Sequence, residues 1–220
     1  MVNCGEECLL PRPFSIHQVN DDAIALFYAV LIDGKGTSWL SQRHKEARIK
    51  LFGPLGNGFS IAPGSNNLLL VAGGNGIAPL YFLARRAWEQ DYSITLLYGT
   101  ANKNRYILNL PPEIKIVATT EDGTVGHRGL VTDLLPDFTS WADQVFACGP
   151  MPMYRDMALR KRELGLEGKP VQISLEVRMG CGLGVCYGCT VKTRSGLKQV
   201  CKDGPIFDLD DILWEELADI

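Results

Sequence analysis

The pattern of apolar and polar positions divides the chain into a β-rich first part and a longer part in which strands alternate with helices. Two stretches rich in β-forming residues, Phe14 to Val19 and Ala23 to Ile32, flank a polar turn and predict a pair of strands. A short helix is expected near Ser38 to Gln42, and a further strand over Arg48 to Phe52. Glycine and proline residues in the segment 53–58 then end this pattern.

From Leu68 onward, the pattern predicts strands that alternate with helices. The run Leu68 to Ala72 is continuously apolar, as expected of a strand that is buried on both faces, and a glycine loop and an amphipathic stretch over Ile77 to Gln90 follow it. Further elements are predicted after it, namely strands at Ser93 to Tyr98, Ile114 to Ala118, Gln144 to Cys148 and Val171 to Leu175, and helices at Leu130 to Leu135 and Met151 to Leu164. This alternation indicates a parallel, doubly wound sheet.

The order of these elements predicts a fold of three parts, a β-barrel plus α/β class. A partial β-barrel comes first and a doubly wound α/β domain follows. A small domain with four cysteines and two short strands, Thr190 to Thr193 and Leu197 to Val200, ends the chain. The segment 62–67 is interpreted as the linker between the first two parts. The domain boundaries are therefore placed at 1–65, 66–172 and 173–220.

Composition restricts the classes of function. Hydrophobic residues make up 46% of the 220 positions, which suffices for a packed core and excludes a disordered chain. The net charge is −3 and there is no long basic run, which argues against a nucleic-acid-binding protein. The longest apolar run is too short to cross a membrane, and the first residues lack the features of a signal peptide. We therefore expect a soluble cytoplasmic protein that binds neither nucleic acid nor a membrane.

Four of the seven cysteines lie close together near the C-terminus. Cys181, Cys186, Cys189 and Cys201 follow the spacing C-x4-C-x2-C, then eleven residues and C, which is typical of the loop that binds a 2Fe-2S cluster in plant-type ferredoxins. Glycines in the loop let backbone N–H groups face the sulfur atoms. A structural zinc site is the alternative, but zinc sites favour C-x2-C pairs at both ends, and only Cys186 and Cys189 form such a pair. The spacing therefore favours the iron–sulfur cluster.

Two further motifs follow predicted strands of the doubly wound sheet. The loop Gly73-Gly74-Asn75-Gly76-Ile77-Ala78-Pro79 leads from a strand into a helix, where glycines let the backbone approach a pyrophosphate and the helix start attracts it. Asn75 is expected to tolerate a left-handed backbone there. Cys148-Gly149-Pro150 follows a later strand, and ligands bind at the carboxyl ends of strands in such sheets. A plain strand-to-helix turn and a buried structural cysteine remain the alternatives.

Other candidates rest on fewer features. The segment Arg12-Pro13-Phe14-Ser15 combines a guanidinium with a hydroxyl next to a strand start, which suits the pyrophosphate of a flavin dinucleotide. A surface arginine at a strand edge is the alternative. Lys103 and Arg105 follow a strand and could reach the 2′-phosphate of NADP. Cys4 and Cys8 are interpreted as incidental thiols in a frayed N-terminus.

Together, these motifs resemble those of the ferredoxin-reductase superfamily. The resemblance rests on Arg12 to Ser15, Gly36-Thr37, Gly53 to Phe59, Gly73 to Pro79, Cys148 to Pro150 and the cysteine cluster. More narrowly, Leu175 to Cys181 and Val200 to Pro205 are similar to segments of the electron-transfer subunits of NAD-dependent dihydroorotate dehydrogenase. The resemblance extends from about residue 9 onward, and its cysteine loop is the most specific part.

The resemblance implies an FAD-binding barrel, an NAD-binding domain and a C-terminal 2Fe-2S domain. Its FAD-binding residues fall on Arg12, Pro13, Phe14, Ser15, Val30, Leu31, Ile32, Gly36 and Thr37. Its NAD-binding residues fall on Gly73, Gly74, Asn75, Gly76, Pro79, Gly149 and Pro150, while Cys148 would position the nicotinamide. The cluster ligands would be Cys181, Cys186, Cys189 and Cys201. Because the family barrel has further strands before this arginine motif, the barrel here is expected to be about two strands short.

The function that the resemblance implies is that of an oxidoreductase subunit in pyrimidine biosynthesis. Such a subunit passes electrons between a catalytic, FMN-containing dihydroorotate dehydrogenase subunit and NAD through a 2Fe-2S cluster and FAD. Flavin is the necessary link because it performs both one-electron and two-electron chemistry. One alternative is a related NAD(P)H reductase subunit that serves a hydrogenase, a sulfide dehydrogenase or a ferredoxin:NADP oxidoreductase. The other is a non-catalytic nucleotide- and metal-binding module that has lost FAD.

Overall fold

A seven-stranded sheet forms the centre of the computed structural model, which describes residues 1–103 and 109–217. The strands are β1 (Ile16–Asn20), β2 (Ala23–Leu26), β3 (Asn67–Gly73), β4 (Ser93–Thr100), β5 (Lys115–Thr120), β6 (His127–Arg128), β7 (Gln144–Cys148), β8 (Val171–Ser174), β9 (Thr190–Thr193), β10 (Gly196–Gln199) and β11 (Ile206–Asp208). The helices are α1 (Lys35–Ser41), α2 (Ile77–Trp88), α3 (Leu135–Thr139), α4 (Met151–Leu159) and α5 (Val200–Asp203). Within these described ranges, no helix is long and apolar enough to cross a membrane.

The central sheet has the strand order β11-β8-β7-β3-β4-β5-β6, and every neighbouring pair is parallel except β11 with β8. Its middle strand, β3, is buried on both faces. Leu68 and Leu70 pack with residues of α2, whereas Leu69 and Val71 belong to a second core that includes residues of α3 and α4. The continuous apolar run thus serves two cores, one on each face, and the predicted doubly wound α/β architecture is confirmed.

Some boundaries differ from the sequence-based prediction. The stretch predicted as a helix over Leu130 to Leu135 is a 3₁₀ turn at Val131–Leu134 followed by α3, and α4 ends at Leu159 rather than Leu164. The elements β6, α5 and β11 were not expected because each has only two to four residues and no periodic signal. The domain boundary proposed after residue 172 falls inside β8.

The first part of the chain contains less sheet than the pattern predicts. Among the described residues 1–65, the named strands form a single antiparallel hairpin, β1 with β2. The strand expected over Arg48 to Phe52 is not formed, since only Leu51 pairs, by one isolated bridge to Val2, which is also bridged to Arg12. The glycine-proline pair at 53 and 54 ends the pairing at once. The barrel expectation is therefore met only by a hairpin and these bridges.

The N-terminus is packed rather than frayed, which corrects the interpretation of Cys4 and Cys8. Both thiols are buried in a small apolar cluster together with Val2, and Phe14 and Trp39 pack against it. Hydrogen bonds between the backbones of Val2 and Arg12 hold this segment in place. Proximity to the terminus is a weak guide here because pairing with later segments fixes the chain.

The segment 62–67 is attached to the central sheet. The backbone N–H of Ala62 donates to the Oε1 atom of Gln144, at 2.8 Å. The N–H groups of Asn66 and Asn67 both donate to one carboxylate oxygen of Asp143, at 2.9 and 2.8 Å. These bonds lower the pKa of the Asp143 carboxyl. A connection of this kind holds the first part of the chain in a fixed place beside β7.

Candidate functional site

A cavity of about 670 Å³ lies in the N-terminal part of the molecule, within the usual size range of small-molecule sites. Its lining residues are Glu7, Cys8, Leu9, Leu10, Arg12, Pro13, Phe14, Leu31, Asp33, Gly34, Lys35, Gly36 and Thr37. Six of the nine residues predicted to bind FAD are among them, which are Arg12, Pro13, Phe14, Leu31, Gly36 and Thr37. Ser15, Val30 and Ile32 do not line the cavity, and the Ile32 side chain is almost fully exposed.

Arg12 and Gly36 are in direct contact at the cavity wall. A Cβ atom added to Gly36 would lie 3.3 Å from both Cγ and Nε of Arg12, so a larger residue would press on the arginine. The Nη1 atom of Arg12 donates a hydrogen bond to the carbonyl oxygen of Leu10, at 2.8 Å. The guanidinium has further N–H donors, and a fixed, always-charged donor group is what an anionic pyrophosphate requires.

The loop between Leu31 and Thr37 also lines the cavity. Thr37 Oγ1 accepts a hydrogen bond from the N–H of Leu31, at 3.1 Å, and donates one to the carbonyl oxygen of Gly34, at 3.2 Å. Lys35 and Glu7 approach each other to 3.8 Å as an exposed ion pair beside the cavity. Sequence reasoning missed both: Lys35 stands next to the predicted Gly36, whereas nothing in the local sequence indicates Glu7.

The hairpin is connected to the α/β domain through His17. The Nδ1 atom of His17 lies 3.2 Å from the carbonyl oxygen of Ala78, and its ring lies 4.3 Å from the ring of Tyr81 in α2. Burial lowers the pKa of His17, which favours the neutral ring. Since Ala78 belongs to the first turn of α2, this contact brings the hairpin to the start of the helix that the glycine loop opens.

The glycine loop and the Cys148-Gly149-Pro150 segment lie against each other. A Cβ atom at Gly76 would be 1.9 Å from the carbonyl oxygen of Cys148, and one at Gly73 would be 2.8 Å from Cδ of Pro150. Gly74 has φ +54°, whereas Asn75 does not have a positive φ. The expectation of a left-handed backbone at Asn75 is therefore wrong, because Gly74 takes that conformation. Asn75 is exposed in the 3₁₀ turn Gly74–Gly76.

Pro79 occupies the third position of α2, in the first turn, as predicted. The predicted NAD-binding residues therefore lie together at the carboxyl ends of β3 and β7, which is the edge where ligands bind in such sheets. Arg105, considered above for a 2′-phosphate, lies outside the described residues. The N–H of Lys103 donates to Oγ1 of Thr124, at 3.2 Å.

Cys148 is fully buried beneath this edge, and burial raises the pKa of its thiol well above the ordinary range. Its Sγ atom lies 4.0 Å from the carbonyl oxygen of Ser174 and 4.0 Å from Oε1 of Glu176. The hydroxyl of Tyr154 accepts from the N–H of Gly149, at 2.9 Å, and donates to the oxygen of Ser174, at 2.5 Å. This network fixes the strand end on which a nucleotide would rest.

Glu176 is a functional candidate that sequence reasoning missed. It follows β8, and its Oε1 atom lies 4.0 Å from Sγ of Cys148. Its side chain reaches solvent, yet desolvation by the surrounding protein raises the pKa of its carboxyl. A direct contact with a ligand requires such access, which Glu176 has and the buried Cys148 lacks. Its position after a parallel strand is the signal that could have found it.

The four clustered cysteines approach one another in two pairs. Cys181 and Cys186 form one pair, and Cys189 and Cys201 form the other, in which the N–H of Cys201 lies 3.5 Å from Sγ of Cys189. Cys186 is exposed, whereas Cys189 and Cys201 are buried. In the described part of the chain, no three His, Cys, Asp or Glu side chains surround a single metal position.

The neighbouring thiols fit a cluster of two irons, each held by two protein sulfurs. Cys181 also acts electrostatically on Cys201, so the two pairs lie near each other. A tetrahedral zinc ion would need all four sulfurs around one centre. Backbone N–H groups of the loop donate hydrogen bonds to two of these sulfurs. The N–H of Leu183 donates to Sγ of Cys181, at 3.3 Å, and that of Gly184 to Sγ of Cys201, at 3.2 Å. The arrangement therefore favours the 2Fe-2S interpretation over zinc.

The two pairs differ in electrostatics. Hydrogen bonds from the backbone of Leu183, Val185 and Cys186 lower the pKa of Cys181 to about 6, so that its thiolate forms readily. Desolvation and the neighbouring Cys189 raise the pKa of Cys201 to about 11. Cys181 is therefore easily deprotonated, whereas a metal would have to displace the proton of the Cys201 thiol.

Comparisons with known proteins match the segment that contains the cysteines and most of the rest of the chain. The family described as "Iron-sulfur cluster binding domain of dihydroorotate dehydrogenase B" matches residues 176–213, which include all four cysteines. The dihydroorotate dehydrogenase B (NAD(+)) electron transfer subunit of Caldanaerobacter subterraneus subsp. tengcongensis is 36% identical over 219 residues, 97% of this chain and 85% of the relative. That of Clostridium acetobutylicum is 36% identical over 203 residues, 91% of this chain and 78% of the relative.

Solved structures share the fold of this chain. The structure of an NADH-dependent reduced ferredoxin-NADP oxidoreductase, studied for flavin-based electron bifurcation, superposes with a TM-score of 0.73 at 33% identity, covering 86% of this chain and 68% of the other. The ferredoxin reductase in carbazole 1,9a-dioxygenase shares the fold, with a TM-score of 0.61 at 23% identity, covering 74% and 55%. On identity and coverage together, the chain belongs to the family of the electron transfer subunits of dihydroorotate dehydrogenase B (NAD(+)).

Proposed function

We propose that this chain is the subunit that carries electrons between NAD and a catalytic dihydroorotate dehydrogenase subunit. The single observation that carries this proposal is the paired arrangement of Cys181, Cys186, Cys189 and Cys201 within the segment that matches the cluster-binding family. FAD supplies the exchange between two-electron and one-electron chemistry, and the 2Fe-2S cluster carries one electron at a time.

The residues of the chain bind and position these groups. Arg12, held by Leu10 and packed on Gly36, is proposed to pair with the pyrophosphate of FAD. Thr37 is proposed to hold the neighbouring loop of the cavity in shape. A larger residue at Gly36 would press on the arginine that makes this contact. The exposed apolar Leu31 at the same cavity suits contact with an uncharged ring system.

The strand ends at Gly73–Gly76 and Cys148–Pro150 are proposed to bind NAD. The close contact between them brings the glycine loop and the start of α2 to one surface, where free N–H groups favour a pyrophosphate. Glu176, whose Oε1 atom lies 4.0 Å from Sγ of Cys148, is proposed to contact the nicotinamide end, and Cys148 is proposed to act from beneath through Glu176. In this proposal Glu176, and not Cys148, contacts the nicotinamide, since the thiol of Cys148 is buried.

The proposed partner is the catalytic, FMN-containing subunit, which would oxidise dihydroorotate while this chain reduces NAD. The names of the curated relatives describe electron transfer subunits, and a subunit of this kind requires a partner. The chain is proposed to act in the cytoplasm, because all seven cysteines are free thiols and a reducing compartment keeps them so.

A second candidate has support from one observation. The similarity to the NADH-dependent reduced ferredoxin-NADP oxidoreductase, at 33% identity, favours a reductase subunit that serves ferredoxin and NADP. The curated relatives nevertheless cover a larger share of both chains, and they favour the dihydroorotate assignment. The two functions differ in the partner and not in the cofactors.

The test is to purify the chain alone and together with a co-expressed dihydroorotate dehydrogenase subunit. The isolated chain is expected to contain FAD, iron and labile sulfide, and to pass electrons from NADH to an artificial acceptor without oxidising dihydroorotate. The complex is expected to couple dihydroorotate oxidation to NAD reduction. Dihydroorotate oxidation by the isolated chain would contradict this division of labour, and a complex that forms only with a ferredoxin-linked subunit would favour the second candidate.

A further inference from the structure

Asn57 connects the N-terminal part of the molecule to the segment that carries the last cluster cysteine. Its side-chain Nδ2 donates to the carbonyl oxygens of Asp203, at 3.1 Å, and Ile206, at 3.0 Å. Its Oδ1 accepts from the N–H of Ile206, at 2.8 Å, and its backbone N–H donates to the oxygen of Gly204, at 2.6 Å. One residue thus makes four hydrogen bonds to a stretch about 150 positions later.

The neighbours of Asn57 make the contact tight. Gly56 has φ +69°, and a Cβ atom there would lie 2.1 Å from the carbonyl oxygen of Gly204, so only glycine allows this approach. Leu55 packs on the cysteine loop itself, since a Cβ atom at Gly182 would be 3.1 Å from its Cδ1. The short segment 55–57 therefore contacts both stretches of chain that supply cluster ligands.

The other end of this connection reaches the flavin cavity. Leu51, a few residues before Asn57, is bridged to Val2, and Val2 is bridged to Arg12 in the cavity wall. At the cluster end, the segment held by Asn57 directly follows α5, which contains Cys201. A short, hydrogen-bonded path thus runs from the residue proposed to bind FAD to a cysteine proposed to bind iron.

We propose that Asn57 is a positioning residue that fixes the separation and orientation of the flavin cavity and the 2Fe-2S site, so that electrons pass directly between them. The proposal rests on the proposed function, because it requires both groups to be bound. The hydrogen bonds of Asn57 go to backbone groups of Asp203, Gly204 and Ile206, and not to the cysteines. The role of Asn57 is to prevent the two parts of the molecule from moving apart, since electron transfer depends on a short, constant separation.

The test compares Asn57→Ala with Asn57→Asp and a matched control in protein loaded with FAD and cluster. Asn57→Asp keeps the acceptor for the N–H of Ile206 and loses the donor, so an intermediate effect is expected. Ser60→Ala is the control. It lies three residues further on and loses only a hydrogen bond from Nε2 of Gln172, at 2.9 Å, which connects the same segment to β8 and not to the cysteines.

Two measurements are made on each variant. Amide hydrogen exchange over residues 200–208 is expected to speed up about tenfold in Asn57→Ala, the factor for losing one to two net hydrogen bonds. Stopped-flow spectroscopy follows flavin reduction by NADH and then cluster reduction. The first rate is expected to remain within about twofold of wild type, and the second to fall roughly tenfold or more, as small displacements of reacting groups are costly. FAD and iron contents should not change.

Each other outcome is decisive. Faster exchange with an unchanged rate of cluster reduction would show that Asn57 only stabilises the fold. Unchanged exchange would show that the hydrogen bonds from Asn57 to residues 203–206 are not formed. Loss of iron from Asn57→Ala, or an equal effect of Ser60→Ala, would also overturn the positioning role. If the wild-type protein bound FAD and iron but NADH did not reduce its cluster, the proposed function itself would be wrong.

Discussion

Gly76 and Cys148 are so close that a single methyl group on the glycine would lie 1.9 Å from the carbonyl oxygen of the cysteine. This contact joins the glycine loop after β3 to the end of β7, two parallel neighbours in the sheet. No flexible side chain is involved, because the atoms that would collide belong to the backbone. The contact explains why the two proposed NAD-binding segments share one surface.

Gly76→Ala is therefore expected to separate the two strand ends. Forcing a methyl group into this backbone contact should destabilise the protein by about 1–3 kcal/mol and weaken NADH binding, as measured by thermal unfolding and by titration. Gly58→Ala is the matched control, since a Cβ atom there meets nothing within 4 Å. If both variants bind NADH like wild type, the glycine loop does not form the nucleotide site.

Cys186→Ser is expected to abolish the iron–sulfur absorption while leaving flavin bound. Loss of one thiolate leaves an iron without a ligand, and the flavin cavity is built from other residues. Iron and labile sulfide assays and the visible spectrum provide the measurement. Val185→Ala, next to Cys186 and similarly exposed, should retain its cluster. A full complement of iron in Cys186→Ser would remove this cysteine from the ligand set.

Arg12→Ala is expected to weaken FAD binding by about tenfold or more, the effect of losing a charge-assisted hydrogen bond of roughly 1.5–3 kcal/mol. The measurement is a titration of flavin-free protein with FAD. Arg48→Ala removes the same charge from the same region but from a residue that does not line the cavity, and it should bind FAD normally. Equal affinities of the two variants would place the pyrophosphate elsewhere.

Glu176 gives a pH-dependent prediction. Because desolvation raises the pKa of its carboxyl, its neutral form is favoured in the folded state. Its contribution to stability is fully present below the unfolded pKa of about 4.3 and is lost as pH rises through the raised pKa. Glu176→Gln should therefore unfold at a higher temperature than wild type at pH 7, with the difference shrinking toward pH 4.

Melting temperatures measured across this pH range test the prediction. Glu121→Gln removes one negative charge from the exposed turn after β5 and controls for the change in net charge. A difference between Glu176→Gln and wild type that is constant from pH 4 to pH 7 would rule out the carboxyl as its cause.

Tyr187 lies on the cysteine loop with 69% of its surface exposed, so most of the residue is accessible to a partner. Exposed aromatics beside a redox centre are typical anchors of a partner interface. Tyr187→Ala is expected to weaken binding of the catalytic subunit roughly tenfold or more, measured by calorimetry. Leu159→Ala, an exposed apolar residue on α4, is the control. Unchanged binding by Tyr187→Ala would place the interface elsewhere.

The sequence predicts best the strands with a clear burial pattern, since β3, β4 and β7 are buried on both faces and β9 alternates. The bounds of β7 and β9 agree with the prediction at every residue, and β3 and β4 differ by one or two residues at their ends. The cysteine spacing likewise predicts thiols that lie near one another, and the structure places Cys186 beside Cys181 and Cys189 beside Cys201. Short-range patterns of this kind do not depend on distant partners.

The first part of the chain is predicted less well because its structure depends on distant contacts. Arg48 to Phe52 alternates like a strand, yet only Leu51 finds a partner. Cys4 and Cys8 looked like thiols at a loose terminus, and they are buried because Val2 pairs with Arg12 and Leu51. Glu176 lies in the segment Leu175 to Cys181 that carries the resemblance, but its approach to Cys148 depends on the pairing of β8 with β7.

The N-terminal part of the molecule contains one two-stranded hairpin and a few isolated bridges, and this affects the order in which the cofactors are lost. Regions with few backbone hydrogen bonds open before the whole protein unfolds. On gentle heating, this part should melt as a separate unit while the central sheet and the cysteine loop stay intact. A ligand that binds only the closed form adds stability to that unit alone, in proportion to its concentration over its dissociation constant. Flavin would thus be the first cofactor to dissociate on dilution. Added flavin would also restore the folded state of the N-terminal part.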